Sequence, residues 1–413
     1  MSTSRFSPDQ ISAGKRILEV LRNPGNLYAT LGGCAGTGKT FLVAPIVQRV
    51  REANPGRDVV YAASTGKAAA NLSRRIGQPV STVHALIFGE VFDDPEGKLS
   101  FSGLRAPCKP GGLVIVDESS MIGRWLFAQM LKAIRMAPGA QYLFLGDPKQ
   151  LPPVKDQFGP DLQKPDALLT TVHRQEDDSP VLELATAIRE GRMESWSEGY
   201  EGDDDRLELY DSLEDAVEWL HGHLSKGDDA VMLSYTNQTR NQMNHRIREL
   251  FGRTSPISLG ERLLCRSNAG KLGVMNGEVF TVHDLRPFGE LQGRQIWRLH
   301  SPDLKGHALV APWFLGQDRK AFLGWRKSLE PLLGDEIHDL IHVDYGYALT
   351  THTSQGSQWA HVGLILDGGF WGLQARSRDE SDRLLYTAVT RTTDKLAMFY
   401  LDLVPEEEAE ESP

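Results

Sequence analysis

One short run constrains this chain more than any other: Gly33-Cys34-Ala35-Gly36-Thr37-Gly38-Lys39-Thr40. It follows the apolar run Leu27-Tyr28-Ala29-Thr30-Leu31 and precedes Phe41-Leu42-Val43-Ala44-Pro45-Ile46-Val47. Strand, glycine-rich turn and helix start therefore come in the order of G-x-x-x-x-G-K-[ST]. Glycines let backbone N–H groups converge on phosphate oxygens without a Cβ clash, and the helix N-terminus adds partial positive charge there. Lys39 suits the β- and γ-phosphates, and the Thr40 hydroxyl suits Mg²⁺. Residues 33–40 thus predict a nucleoside triphosphate site, ATP with Mg²⁺, and say nothing yet of what the energy is for.

The rhythm around the loop is α/β. Short, nearly continuous apolar runs at 59–63, 113–117 and 142–146 read as buried parallel strands, with helical segments at 67–75 and 121–136. A helix over 5–23 has Ser7 as N-cap, Pro8 at its first position and Gln10 in the capping-box place. A second set of strands at 230–235, 361–367 and 397–401, with helices at 238–251 and 381–391, predicts a second α/β unit without a glycine-rich loop. A helix over 179–192 lies between the two sets. Two stretches break the rhythm. Residues 88–101 read as a β-hairpin, and 275–345 as a small inserted β-barrel with a helix at 321–333.

With 413 residues the chain exceeds one ordinary core, so two or more domains are expected. No apolar run reaches the roughly 20 residues that span a membrane, and residues 1–6 have no export signal, so a cytoplasmic protein is expected. Three widely spaced cysteines, Cys34, Cys108 and Cys265, support neither zinc nor a disulfide frame. Net charge is −10, which argues against non-specific coating of duplex DNA but leaves room for a local groove. The acid is concentrated at 198–205 and in the tail 405–413, which is expected to be solvated.

Two further strands end in acids. Asp117-Glu118 occupies the place where a P-loop fold keeps a metal-holding aspartate and a water-activating glutamate. In Gly146-Asp147-Pro148-Lys149-Gln150-Leu151-Pro152-Pro153-Val154, Gln150 is placed to sense a γ-phosphate. Arg174 and Arg391 are candidates for the arginine that stabilises phosphoryl transfer.

Taken in order, these motifs resemble those of superfamily 1B helicases of the RecD/Dda branch. They comprise residues 33–40, Asp117-Glu118-Ser119-Ser120-Met121, residues 146–154, His173-Arg174-Gln175, Thr351-His352-Thr353-Ser354-Gln355-Gly356 and residues 386–391. The compact length is similar to that of phage Dda-type helicases. The resemblance implies two RecA-like domains, 1A (1–85 and 112–172) and 2A (173–274 and 346–404). It also implies a β-hairpin pin domain 1B (86–111) and an inserted SH3-like domain 2B (275–345). It makes Gln10, which the residues alone explain as a cap, a reader of adenine. It assigns Gly33, Cys34, Ala35, Gly36, Thr37, Gly38, Lys39 and Thr40 to ATP, and Thr40 and Asp117 to Mg²⁺. Lys39, Glu118, Gln150, Arg174 and Arg391 become the hydrolytic set, with Arg391 acting from the second domain. Ser64, Thr65, Lys67, His84, Asn237, Thr350, His352 and Ser354 would line a single-strand groove, and Phe92 or Phe101 would stack at the pin.

The implied activity is 5′→3′ translocation and unwinding by a monomer in a bacterial or phage-infected cell. It would act at single-strand/duplex junctions, with a single-strand-binding or replication protein as a partner. The rivals are a translocase that remodels protein–DNA complexes without strong unwinding, and a non-enzymatic ATP-gated strand binder. One departure stands out: the family usually has lysine where this chain has Thr353, which removes a cationic phosphate contact.

Overall fold

The computed structural model describes residues 6–88, 91–93, 99–101, 103–153, 156–157, 159–171, 179–193, 204–291 and 293–401. The chain forms two compact units that divide between residues 177 and 178.

The first unit is built on a six-stranded sheet in the order β3-β2-β6-β7-β1-β8. Its strands are β1 (Tyr28–Gly33), β2 (Val59–Ala63), β3 (Val80–Thr82), β6 (Leu113–Asp117), β7 (Gln141–Gly146) and β8 (Ala167–Leu169). Every pairing in it is parallel. The apolar runs explain the layering. Along β6 and β7, Leu113, Ile115, Leu143 and Leu145 join one core with Ile17, Leu42 and Ile46. The alternate residues Val114, Val116, Tyr142 and Phe144 join the other with Met130 and Ile134. Side chains alternate across the sheet, so a strand apolar at every position must be covered on both faces.

The hairpin is present as β4 (Val91–Asp93) and β5 (Leu99–Phe101), with Val91 opposite Phe101 and Phe92 opposite Ser100. It begins later than the apolar pattern suggests: Phe88 lies outside these strands, makes a bridge to Leu104 and is buried. The side chains of Phe92 and Phe101 lie outside the described residues, as do Arg174 and the tail 402–413.

The second unit carries a five-stranded parallel sheet in the order β18-β10-β19-β20-β9. These strands are β9 (Leu207–Tyr210), β10 (Ala230–Ser234), β18 (Ala348–Thr350), β19 (Trp359–Leu366) and β20 (Thr392–Tyr400). Between β10 and β18 lie two smaller sheets. One is β12-β11-β17, with β11 (Arg262–Cys265), β12 (Val279–Thr281) and β17 (Val343–Tyr345). The other is β13-β14-β15-β16, with β13 (Asp284–Leu291), β14 (Arg294–His300), β15 (His307–Val310) and β16 (Leu340–Ile341). The helix Arg319–Leu333 accompanies the second of these sheets. Strand β11 lies before residue 275 yet pairs with both β12 and β17. Strand β13 escapes sequence reading because it holds Pro287 and Gly289, with a register shift between them and a largely exposed face. All three cysteines are free thiols, and among the described residues no helix is long and apolar enough to cross a membrane.

Candidate functional site

In the first unit the pairings Gly32 with Gly146 and Val116 with Phe144 bring β1, β6 and β7 to a common end. The turns leaving that end are the P-loop, Asp117-Glu118 and Asp147–Gln150. An open parallel sheet binds ligands at the carboxyl ends of its strands.

Within the P-loop, Gly36 and Gly38 adopt φ of 79° and 84°, the left-handed region that favours glycine. A Cβ on Gly38 would lie 2.6 Å from Gln10 Nε2. The helix Lys39–Ala53 starts at Gly38, and no side chain caps its first turn, which leaves backbone N–H groups for an anion. Lys39 Nζ donates to the carbonyls of Gly33 (2.6 Å) and Cys34 (3.0 Å). Its ammonium therefore already sits over the loop, held by neutral acceptors that a phosphate would outcompete.

Thr40 Oγ1 donates to Asp117 Oδ2 at 3.4 Å. The Asp117 carboxyl is pushed up to about 6, first by burial and then by the neighbouring Glu118 charge; the Lys39 charge acts in the opposite direction. A half-buried carboxylate beside a hydroxyl is a hard-oxygen pair that fits Mg²⁺. Glu118 is the single non-glycine residue with positive φ among those described, at 51°. Its N–H donates to Asp117 Oδ1 at 2.9 Å. Holding a non-glycine residue in that region costs about 1–3 kcal/mol, and such strain clusters at working sites. Ser119, which sequence reading passed over, ties this turn to β7 by donating to Leu145 O at 2.7 Å. Gln150 is buried, and its N–H donates to Asp147 O at 3.3 Å.

Gln10 combines the two readings of its sequence context. Its Oε1 accepts from Ser7 N–H (3.2 Å), which completes the capping box of the helix Pro8–Arg22. Its Nε2 donates to Thr37 O in the P-loop at 3.2 Å. One amide N–H and one lone pair remain for a base edge. Ser7→Ala removes the N-cap hydroxyl of this helix and is expected to lower stability by about 0.5–2 kcal/mol, as melting curves would register.

The strand-binding candidates fall into two groups. Thr65 caps the helix Gly66–Ile76 by accepting from Ala68 N–H at 3.2 Å, and Ser64 Oγ lies 3.5 Å from Met121 Sδ. Lys67 lies in the first turn of that helix. His84 sits in the short helix Val83–Ile87, where burial lowers its imidazole pKa and favours the neutral ring. Beside it, Phe88 stacks on Trp125 at 5.9 Å between centroids. Trp125 is 53% exposed; nothing in its local pattern distinguishes it from a helix-surface residue.

In the second unit β10, β18 and β19 end at one side of the sheet. Asn237 is exposed at the start of the helix Asn237–Leu250, which Thr236 caps. Thr239 Oγ1 donates to Asp367, the cap of the helix Gly368–Arg376. Asn244 supports the edge strand, accepting from Ala348 N–H and donating to Ala348 O, both at 3.0 Å. Thr350 accepts from Thr353 N–H (3.3 Å), and the two hydroxyls are 2.9 Å apart. His352 is half-buried, and burial lowers its pKa. Ser354 is fully buried, and its hydroxyl donates to Thr351 O at 2.7 Å, so that side chain shapes the turn from within. Arg391 is buried among acceptors of its own unit: Thr387 O (2.9 Å), Ser357 O (3.3 Å) and Thr390 Oγ1 (3.2 Å).

A P-loop nucleotide site on one parallel sheet, followed by a second parallel α/β sheet, defines a class of two-unit NTP-dependent proteins. The AAA domain family matches residues 5–211, half of the chain, and the UvrD-like helicase C-terminal domain matches residues 345–399. The chain belongs to the superfamily 1B helicases of the RecD/Dda branch. It is 28% identical over 380 residues to the ATP-dependent RecD2 DNA helicase of Deinococcus radiodurans, covering 90% of this chain and 46% of that protein. Against the RecBCD enzyme subunit RecD of Mycolicibacterium smegmatis it is 27% identical, covering 89% of this chain and 67% of that protein. The chain therefore spans about half the length of the first of these relatives. A crystal structure of Pif1 helicase from Bacteroides in complex with ADP-AlF3 and ssDNA is similar in fold, with a TM-score of 0.52 at 15% identity. That likeness covers 93% of this chain and 91% of that one.

Proposed function

We propose that this chain is an ATP-dependent DNA helicase that moves 5′→3′ on single-stranded DNA and separates duplex at single-strand/duplex junctions. The observation that carries the reading is the hydrolytic constellation at one sheet end: Lys39 over the P-loop, Thr40 beside Asp117, and Glu118 held at positive φ. Direction and unwinding are read from the family.

Thr40 and Asp117 would hold Mg²⁺, which supplies charge neutralisation at the phosphates. Lys39 exchanges its carbonyl partners for phosphate oxygens. Glu118 orients a water and accepts its proton, Gln150 senses the γ-phosphate, and Arg174 and Arg391 supply positive charge to the transferring group. Gln10 reads adenine from its tether on the P-loop. Ser64, Thr65, Lys67, His84, Asn237, Thr350 and His352 contact the strand, Ser354 supports that surface from inside, and Phe92 or Phe101 stacks at the junction. The proposed working form is a monomer in the cytoplasm of a bacterial or phage-infected cell, with a single-strand-binding or replication protein as its partner.

Strand separation on 5′-tailed and 3′-tailed duplexes with ATP tests the reading. Separation of the 5′-tailed substrate alone is expected. Single-strand-stimulated ATP hydrolysis with neither substrate separated would favour the remodelling translocase instead.

Thr353 bears on how firmly the strand is held. Its hydroxyl and N–H engage Thr350, and it adds no charge. Thr353→Lys is expected to tighten single-strand binding at low salt. It should also steepen the dependence of log K on log salt by about 0.7, the value for one added phosphate contact on a single strand. Fluorescence anisotropy across a salt series measures both.

A further inference from the structure

Away from the motif loops, two histidines and an aspartate converge at the other end of the second unit's sheet. The helix Leu213–Lys226 ends at Gly227, whose φ of 83° turns the chain back. That reversal lets Asp228 N–H donate to His223 O at 3.0 Å and sets the Asp228 carboxylate 2.7 Å from His223 Nδ1. The third residue arrives through sheet register. β19 pairs with β10 so that His361 lies opposite Ala230, and His361 N–H donates to Asp229 O at 3.0 Å. The His223 and His361 rings then stack at 4.4 Å, 26° from parallel.

One ligand atom from each of His223, Asp228 and His361 lies within 4.8 Å of the other two, and all three residues are half-buried. Metal–ligand bonds of about 2.0 Å in a tetrahedron set ligand atoms about 3.3 Å apart. His223 Nδ1 and Asp228 Oδ2 are 2.7 Å apart, a hydrogen bond that an ion would replace, and no pair of these ligand atoms is more than 4.8 Å apart. A second observation points the same way: His361 Nδ1 is buried without a hydrogen-bond partner. A buried polar atom left unsatisfied is uncommon in a native protein and asks for an unseen partner.

We propose that His223, Asp228 and His361 form a site for one divalent transition-metal ion of the zinc class, which staples the helix Leu213–Lys226 to β19. Two imidazoles and one carboxylate suit Zn²⁺ with water in the fourth position. Hard cations such as Mg²⁺ prefer all-oxygen sets. The site stands apart from the nucleotide chemistry, and its role is to stabilise the second unit.

The test uses the full chain without an affinity tag, in excess Mg²⁺ to occupy oxygen-rich sites. Calorimetric titration with Zn²⁺ is expected to give one ion per chain, and the melting temperature should rise with added Zn²⁺. Co²⁺ should shift and broaden the ring resonances of His223 and His361 in the unmodified protein, a readout that needs no variant to fold. His361→Gln and Asp228→Asn should each weaken Zn²⁺ binding by about 100-fold or more, since even outer-shell partners are worth about 10–100-fold. Mg²⁺-supported ATP turnover should not change. Absence of stoichiometric Zn²⁺ binding by the unmodified chain would overturn the proposal. So would binding that survives in the His223→Gln/His361→Gln double variant, because the ion would then sit elsewhere.

Discussion

Replacing Arg391 with alanine is expected to lower single-strand-stimulated ATP turnover by about 10³–10⁵-fold, the range for removing an arginine that stabilises phosphoryl transfer. Nucleotide affinity should change far less. Arg391 is 3% exposed, and its guanidinium bonds to two carbonyls and a hydroxyl. Thr387 and Thr390 lie at the C-terminal end of the helix Arg378–Val389, where the helix dipole favours a cation. A charge held by neutral acceptors is one that a developing phosphoryl charge can recruit. The same bonds also support the local fold, so the experiment pairs kcat with thermal melting. Arg391→Lys keeps the charge but loses the planar fork. If turnover merely follows the folded fraction in both variants, Arg391 is structural and the assignment fails.

Glu118→Gln is expected to reduce kcat by about 10²–10⁴-fold through loss of the general base, with ATP still bound. The amide keeps the size and the backbone geometry of the original residue, so stability should hold. Glu118→Gly makes a complementary point. Glycine accepts a φ of 51° without strain, so this variant should be as stable as the parent or about 1 kcal/mol more stable, while turnover collapses. Equally slow turnover by Glu118→Gln and the parent, measured with single-stranded DNA present, would instead identify an ATP-gated strand binder.

Legibility followed the distance over which each signal acts. The P-loop and the strands ending at Asp117 and Gly146 were readable because a buried parallel strand must be apolar along its whole length. Strands β8, β9 and β13 were not. At the sheet edges Leu168 is exposed between buried Ala167 and Leu169, Leu209 is exposed between half-buried Glu208 and Tyr210, and β13 carries Pro287 and Gly289. Gln10 showed its cap in the sequence but not its bond to Thr37, which depends on how the first helix packs against the loop. Ser354 lies in a motif that the resemblance assigns to strand binding, yet its hydroxyl faces inward to Thr351 O. A motif places a residue in a turn without saying which side of the turn the residue lines. Trp125 gave no local signal, and only the stack on Phe88 beside His84 distinguishes it.

Residue order alone put a P-loop on a strand–loop–helix turn and two α/β units one after the other. Those features depend on neighbours in the chain: glycine spacing, apolar period and an acid closing a strand. The tertiary structure alone decided that Lys39 rests on its own loop, that Glu118 is held at positive φ, that Arg391 is stored on carbonyls, and that His223, Asp228 and His361 meet. Sheet register and helix packing bring together residues more than a hundred positions apart, and no local pattern encodes such a meeting.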